Sequence, residues 1–369
     1  MAAVKPGKEK NMWPDRRLLD LFNIEVPIIQ APMAGAMDAE LVIAAAKGGA
    51  LGSLPCAMLS PDQARDQINL IRSEVKAPVS LNFFAHAASA ADPGKVAAWR
   101  TQLAPYYKAH GLDPAMPIPA AARAPFDAAM CEVVEELRPE VVSFHFGLPE
   151  PGLLKRVRAT GTKIVGCATI VEEAQWLEAR GVDAIIAQGA EAGGHRSMFL
   201  TDNIATQPGT FALVPQVVDA VRVPVIAAGG IADGRGVAAA LALGASAVQI
   251  GTAYLRCPES KISPLYRAGL AAAGDHSTTI TNVMTGRPAR GVINRAMREL
   301  GPMTANSPGF PHASAAFGPL KTAAEKAGKL DFSNVWSGQA AALAREMPAT
   351  ELTRALAQAA LHRIGQLAG

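Results

Sequence analysis

Residues 223–252 read VPVIAAGGIADGRGVAAALALGASAVQIGT, and this one segment contains a complete structural unit. A short apolar run is followed by a glycine-rich break, an alanine-rich stretch with helical character and a second apolar run. Nearly continuous apolar runs indicate strands buried on both faces, which are typical of parallel sheets covered by helices. The segment therefore predicts a strand, a helix and the next parallel strand.

The same alternation recurs along most of the chain, between about residues 26 and 275. Helical patterns such as 38–49 and 171–181 have an acidic first turn and a closing glycine. Eight strand–helix units in this length predict an α/β protein with a (β/α)8 TIM barrel, and a doubly wound open sheet is the alternative. The apolar runs are VPIIQAP (26–32), GALGSLP (49–55), PVSLNFF (78–84), EVVSFHFG (140–147), KIVGCAT (163–169), DAIIAQG (183–189), VPVIAAGG (223–230) and AVQIGT (247–252).

Two segments do not fit the repeat. Residues 85–123, approximately, are rich in alanine and proline and predict a partly helical insertion after strand three. Residues 276–369 lack the alternation and predict a helical segment that packs on the barrel mouth. The domain prediction is therefore a barrel over residues 20–275, with this insertion, followed by the C-terminal helical segment.

Composition argues against several classes of protein. Half of the residues are hydrophobic, yet no apolar run approaches the ~20 residues that cross a bilayer. The polar start, residues 1–17, does not resemble a signal peptide. The net charge of +3 is scattered, which argues against a nucleic-acid surface. We therefore expect neither a membrane nor a nucleic-acid partner. The cysteines are few and widely spaced, so we also expect no metal site and a cytoplasmic protein; they are Cys56, Cys131, Cys167 and Cys257.

Polar side chains lie at the predicted strand ends, where a barrel of this kind places its catalytic and ligand groups. Asn82, His145 and Gln188 close strands three, four and six, and His195 follows in a glycine-rich loop. Packing of an apolar core does not explain amide and imidazole side chains at these positions. Their convergence at one rim predicts a functional site there.

Glycine-rich turns follow strands seven and eight, in AAGGIADGRG (227–236) and QIGT (249–252). Unobstructed backbone N–H groups in these two loops commonly bind phosphate in a barrel, and Asp233 would cap the next helix. Neither turn matches a dinucleotide or P-loop motif, so a mononucleotide fits better. If it is FMN, its ring lies across the mouth, where the amides of Asn82 and Gln188 suit its polar edge.

Several motifs together resemble the nitronate monooxygenases, also called the 2-nitropropane dioxygenase-like family. They include QAPMAG (30–35), DAIIAQGAEAGGHR (183–196) and TGRPARG (285–291), and SFHFG (143–147) resembles the class I branch. The resemblance implies a TIM barrel with an added helical portion and non-covalent FMN. It also implies oxidation of an anionic alkyl nitronate, propionate 3-nitronate at family level, by O₂ without a metal. The products would be a carbonyl compound and nitrite, formed via a flavin semiquinone.

The resemblance also assigns residues. The catalytic histidine falls on His195, and Gly193 and Gly194 would let the backbone approach the flavin with φ above zero. Ser197 stands where many relatives have glycine, which affects the loop's shape. The roles of His145, Arg196, Arg287 and Arg290 stay open. The family's flavin contacts fall on Asn82, Gln188, Gly193, Gly230, Gln249, Ile250, Gly251 and Thr252.

Other functions are compatible with the same barrel. A flavin-dependent NAD(P)H:quinone reductase or enoyl-thioester reductase would need a nicotinamide to reach the flavin, and the sequence contains no second nucleotide motif. A barrel that binds a phosphorylated ligand without chemistry is a third interpretation. The sequence contains no signal that predicts an oligomeric state.

Overall fold

The computed structural model describes residues 13–88, 90–117 and 123–368. Eight parallel strands form its central sheet, in the spatial order β1-β9-β8-β6-β5-β4-β3-β2. All eight coincide with the apolar runs in the sequence. The strands are β1 (Ile28–Gln30), β2 (Gly52–Pro55), β3 (Val79–Phe84), β4 (Val141–His145), β5 (Lys163–Ala168), β6 (Ala184–Gln188), β8 (Val225–Ala228) and β9 (Ala247–Ile250).

Hydrogen bonds between β1 and Leu51, beside β2, close the sheet into a barrel. The Gln30 N–H donates to the Leu51 carbonyl at 3.0 Å, and the Leu51 N–H donates to the Ile28 carbonyl at 3.0 Å. The fully buried Gln30 side chain adds a bond, because its Oε1 accepts from the Ser53 N–H at 3.1 Å. The barrel prediction is confirmed, and the open sheet is not observed.

Helices surround the barrel, and several of them begin at a side chain that caps their free N–H groups. Asp233 accepts from the N–H groups of Arg235 and Gly236 at the start of one helix, as its position in the sequence predicts. The helices are α1 (Arg17–Phe22), α2 (Ala39–Lys47), α3 (Pro61–Glu74), α4 (Pro93–Ala109), α5 (Ala128–Leu137), α6 (Pro151–Ala159), α7 (Val171–Glu178), α8 (Thr210–Ala220), α9 (Gly234–Ala242), α10 (Thr252–Leu255), α11 (Pro264–Ala271), α12 (Arg295–Glu299), α13 (Ala313–Lys326) and α14 (Ala349–Ala368).

The last helix, α14, packs on the outside of the barrel between α2 and α9. Glycines allow this close approach: a Cβ added at Gly48 would lie 2.5 Å from Thr353 Cβ, and one at Gly234 would lie 2.5 Å from Ala359 Cβ. Thus part of the C-terminal segment completes the outer ring of helices, whereas the sequence places the whole segment on the mouth. The boundary at about residue 275 stays a prediction.

The C-terminal segment is also less helical than its sequence predicts. It contains β10 (Thr278–Thr281) and β11 (Ala289–Val292), which are antiparallel, and β11 pairs with β7 (Gly194–His195) from the loop after β6. β10 and β11 are only four residues long and partly polar, so they lack the apolar run that predicts a buried strand. This second sheet ties the His195 loop to the C-terminal segment.

The insertion after β3 contains α4, which packs against α13 in a second hydrophobic cluster. Tyr107 Oη donates to the Ala316 carbonyl at 2.6 Å across this contact. Residues 89 and 118–122 of the insertion, and 1–12 of the polar start, lie outside the described residues. Within the described part of the chain, no helix is long and apolar enough to cross a bilayer.

Candidate active site

One cavity lies at the carboxyl ends of the barrel strands and is lined by residues from nearly all of them. The structure thus brings together predicted site residues that are up to 170 positions apart in the chain, from Asn82 to Thr252. A barrel does so because all of its strands end at one rim. Ile250 is the exception: its side chain is buried in the barrel core and does not line the cavity. The predicted site residues that do line it are Asn82, Gln188, Gly193, His195, Gly230, Gln249, Gly251 and Thr252.

The two glycines before His195 serve different purposes. Gly194 belongs to β7 and has a φ of +75°, a value that residues with a side chain rarely adopt. Gly193 is not in that region; a Cβ there would lie 2.5 Å from Gly338 N and 2.6 Å from Ser337 C. Only Gly194 needs the positive φ that the sequence suggested for both, and Gly193 lets the 337–338 backbone come close.

Gln188 holds the His195 loop with both ends of its amide. Its Nε2 donates to the His195 carbonyl at 3.0 Å, and its Oε1 accepts from the Ser197 N–H at 2.9 Å. The same carbonyl lies 3.1 Å from His145 Nε2. A carbonyl only accepts, so His145 carries its proton on Nε2. Both strand-end side chains therefore position the loop, which assigns His145 a structural contact.

Ser197 is a further anchor of this loop. Its side chain is fully buried; its Oγ accepts from the Phe146 N–H at 3.2 Å and donates to the Cys167 carbonyl at 3.2 Å. The hydroxyl thus links the loop to the strands on which His145 and Cys167 lie.

His195 is oriented by Thr285, a residue that the sequence did not single out. Its Nε2 lies 3.0 Å from Thr285 Oγ1, and that hydroxyl donates to the Arg287 carbonyl at 3.3 Å. Since the single hydroxyl proton is committed to the carbonyl, Thr285 accepts from an Nε2–H of His195. The other ring nitrogen, Nδ1, is then free of a proton when the imidazole is neutral.

Aromatic rings surround the His195 imidazole. Their centroids lie 5.3 Å (Phe310), 5.5 Å (Trp336), 6.0 Å (Phe146) and 6.3 Å (Phe84) from that of His195. Burial lowers the pKa of His195 well below its usual 6.5, and the positive charge of Arg123 lowers it further. At neutral pH the imidazole is uncharged and can accept a proton.

The three arginines whose roles the sequence does not decide all donate hydrogen bonds to backbone carbonyls. Arg196 is fully buried and donates to the carbonyls of Gly189 and Gln188. Arg290 donates from Nε to the Ala190 carbonyl at 2.8 Å. Arg287 donates to the Met198 carbonyl, and its guanidinium lies 3.9 Å above the Phe146 ring. These contacts fix the loop, and none of the three arginines lines the cavity.

The loops after β8 and β9 form the glycine-rich end of the cavity. Gly230 has φ of +70°, and Gly251 has φ of −108°, where any residue is tolerated. A Cβ at Gly251 would lie 3.7 Å from both Ala31 Cβ and Met33 Sδ, on the cavity wall. Thr252 Oγ1 accepts from the Gly338 N–H at 2.9 Å, which leaves its own proton available to a ligand.

Asn82 keeps part of its hydrogen-bonding capacity. Its Nδ2 donates to Ser143 Oγ at 3.0 Å, and its Oδ1 has no donor among the described residues. No group of three His, Cys, Asp or Glu side chains in the described part of the chain is placed to hold a metal ion. The polar groups on the cavity wall include an uncharged imidazole, side-chain amides and backbone N–H groups.

The barrel, and a cavity at its mouth with a histidine on the wall, define a (β/α)8-barrel enzyme. The family model for nitronate monooxygenase matches residues 15–359. The chain belongs to the nitronate monooxygenase family, whose members are flavin-dependent oxidoreductases. This confirms the resemblance seen in the sequence.

Individual relatives agree over nearly the whole chain. A nitronate monooxygenase of Paraburkholderia phytofirmans is 41% identical over 355 residues, which cover 95% of this chain and 97% of the relative. One of Pseudomonas aeruginosa is 40% identical over 344 residues, which cover 93% and 98%. Among solved structures, a nitroalkane oxidase from Streptomyces ansochromogenes has a TM-score of 0.86 at 36% identity, covering 95% of this chain and 99% of that one.

Proposed function

We propose that this protein is an FMN-dependent nitronate monooxygenase that oxidises alkyl nitronates with O₂ to a carbonyl compound and nitrite. The observation that carries the proposal is the uncharged His195, held by Thr285 on the wall of a cavity that also contains the glycine-rich loops. Propionate 3-nitronate is the proposed substrate at family level. The four cysteines are buried free thiols, which supports a reducing cytoplasm as the site of action.

The residues of the cavity suit both parts of FMN, the phosphate and the polar edge of the flavin ring. Gly230, Gly251 and Thr252 would hold the phosphate, because they offer uncovered backbone and a free hydroxyl proton. Asn82 and Gln249 would meet the flavin's polar edge through their amides. Gln188 and Gly193 would support the cofactor through the loop, and Ile250 through its backbone alone. When bound, FMN would supply the redox chemistry of the reaction, which is electron transfer from the substrate to O₂.

The protonation state of His195 favours one of its two conceivable roles. A neutral imidazole with its proton directed at Thr285 has only a lone pair left, which cannot donate a hydrogen bond to an anion. That lone pair suits removal of a proton from the carbon of a neutral nitroalkane, a step that yields the nitronate in the site. A nitronate supplied as such needs no base.

The proposal is tested with purified protein supplied with FMN. With ethylnitronate or propionate 3-nitronate, we expect O₂ uptake and release of nitrite without a nicotinamide. His195→Ala should lose far more activity with neutral nitroethane than with ethylnitronate. Equal losses on both would contradict the proton-removal role, and NADH-dependent quinone reduction without nitrite release would favour the reductase interpretation.

A further inference from the structure

Arg123 is the cation on the cavity wall that the proposed reaction does not use. It lies at the end of the insertion after β3 and borders the cavity of His195. It also borders a smaller cavity next to it, together with Thr285, Ser314 and Lys321. No Asp or Glu from the described part of the chain lines either cavity.

Among the described residues, the guanidinium of Arg123 has only a weak hydrogen-bond partner and no counter-ion. Its closest hydrogen-bond partner among the described residues is Ser314 Oγ at 3.5 Å, the limit of such a contact. Its Cζ lies 6.0 Å from the centroid of the Phe310 ring, and within the described ranges no carboxylate pairs with it. By contrast, Arg196 and Arg290 are held by backbone carbonyls. A largely buried cation without a counter-ion is costly unless a ligand neutralises it.

Arg123 and His195 share one aromatic wall. The Phe310 ring lies 5.3 Å from the His195 ring and 6.0 Å from Arg123 Cζ, so both polar groups lie within reach of one short ligand. The electrostatic influence of Arg123 on the pKa of His195 is the largest of any charged group, which is consistent with this closeness. The reacting carbon has to lie near His195 and the strand ends, whereas Arg123 stands toward the smaller cavity.

We propose that Arg123 forms a second anion subsite, which binds a carboxylate carried by the substrate while its nitro or nitronate group lies beside His195. The inference rests on the proposed function, whose proposed substrate carries a carboxylate at the far end, and it assigns the residue that binds this group. A guanidinium binds a carboxylate through paired N–H donors, and the apolar Phe310 ring, which lies near both groups, suits the methylene carbons.

The kinetic test compares propionate 3-nitronate with ethylnitronate in the wild type, Arg123→Gln and Arg123→Lys. In Arg123→Gln we expect kcat/KM for propionate 3-nitronate to fall about 10- to 100-fold, mostly through KM. Ethylnitronate should change less than about twofold, and Arg123→Lys should recover part of the loss. Lys321→Gln is the matched control, because it removes a positive charge from the smaller cavity alone. Equal losses on both nitronates in Arg123→Gln would overturn the proposal, since Arg123 would then bind the nitronate itself.

A binding test works without turnover and separates this inference from the proposed function. Butyrate and butyramide have the same chain length, but only butyrate carries a carboxylate. By calorimetry with the flavin-loaded protein, we expect butyrate to bind more tightly than butyramide, and Arg123→Gln to abolish the difference. Equal binding of the two compounds by the wild type would overturn the subsite. If the wild type oxidises neither nitronate yet prefers butyrate, the proposed function fails and the subsite stands.

Discussion

His195 Nε2 and Thr285 Oγ1 lie 3.0 Å apart, although 90 residues separate them in the chain. The contact exists because β11, which follows Thr285, pairs with β7, so that Ala289 stands opposite His195. Backbone pairing thus brings the hydroxyl to the imidazole. The C-terminal segment therefore fixes the proton position of the proposed base.

Thr285→Val should impair proton removal without unfolding the protein. The substitution keeps the branched shape but removes the hydroxyl that accepts from Nε2–H, so the tautomer is no longer fixed. We expect kcat with nitroethane to fall about 10-fold and kcat with ethylnitronate to stay nearly unchanged. Thr285→Ser, which retains the hydroxyl, is the control and should keep most of the activity. A similar loss in both variants would argue against the hydrogen bond.

The glycine-rich loops and His195 should separate cofactor binding from chemistry. Gly251→Val should fold, because φ of −108° is allowed, yet purify largely colourless because the new side chain occupies the proposed phosphate site. Gly230→Val adds backbone strain of about 1–3 kcal/mol at φ of +70°. His195→Ala should remain yellow. Flavin absorbance per mole of purified protein is the measurement, and colourless His195→Ala beside yellow glycine variants would reverse the assignment.

Stability should fall in mild acid because several histidines are buried in their neutral form. Burial lowers the pKa of His145 to about 3 and that of His86 to about 4. The unfolded chain takes up these protons from about pH 6.5 downward, whereas the folded chain does not until much lower pH. The contribution of these histidines to the free energy of unfolding is therefore fully present above pH 7, and it is lost as the pH falls from 6.5 toward 4.

Urea unfolding at a series of pH values measures this loss. Each such histidine contributes up to about 1.4 kcal/mol per pH unit. His145→Gln keeps an N–H donor for the His195 carbonyl but cannot titrate, so its stability should depend less steeply on pH. An unchanged slope in that variant would show that His145 is not buried neutral.

Arg196→Met should destabilise the fold through the same loop. The arginine is fully buried and donates to two backbone carbonyls and to Gln207 Oε1, at 2.9 Å in the last case. Methionine fills similar space but leaves these acceptors unpaired, at a cost of about 2–4 kcal/mol. The urea midpoint is the measurement, and Arg363→Met, on an exposed position of α14, is the control that should change little. Equal midpoints for the two variants would contradict the structural role.

The barrel could be predicted from the sequence because buried parallel strands leave continuous apolar runs, and each of the eight runs became a strand. Asn82, Gln188 and His195 could be placed at the mouth because the carboxyl ends of parallel strands share one rim. These are local patterns combined with one rule of topology, and they do not require knowledge of which loops touch.

The rest of the site depends on contacts that the sequence does not encode locally. Phe84, Phe146 and Phe310 meet around His195 from three distant segments, and an isolated phenylalanine predicts only burial. A strand-end amide such as that of Gln188 is expected to face a ligand. In the structure its oxygen instead accepts from the Ser197 N–H, a contact that depends on the path of the loop. Thr285 belongs to the TGRPARG motif (285–291), but the motif does not show that its hydroxyl reaches His195; the pairing of β11 with β7 does. Arg123 lies in none of the quoted motifs, and its place on the cavity wall follows from the path of the insertion.

Anaerobic mixing of the flavin-loaded protein with ethylnitronate or with NADH tests the central claim, that a nitronate is the electron donor in this barrel. We predict that ethylnitronate bleaches the flavin absorbance bands rapidly, whereas NADH does so slowly or not at all, and that admitting O₂ restores the colour. Rapid bleaching by NADH with no response to ethylnitronate would contradict the account and assign the barrel to the reductases.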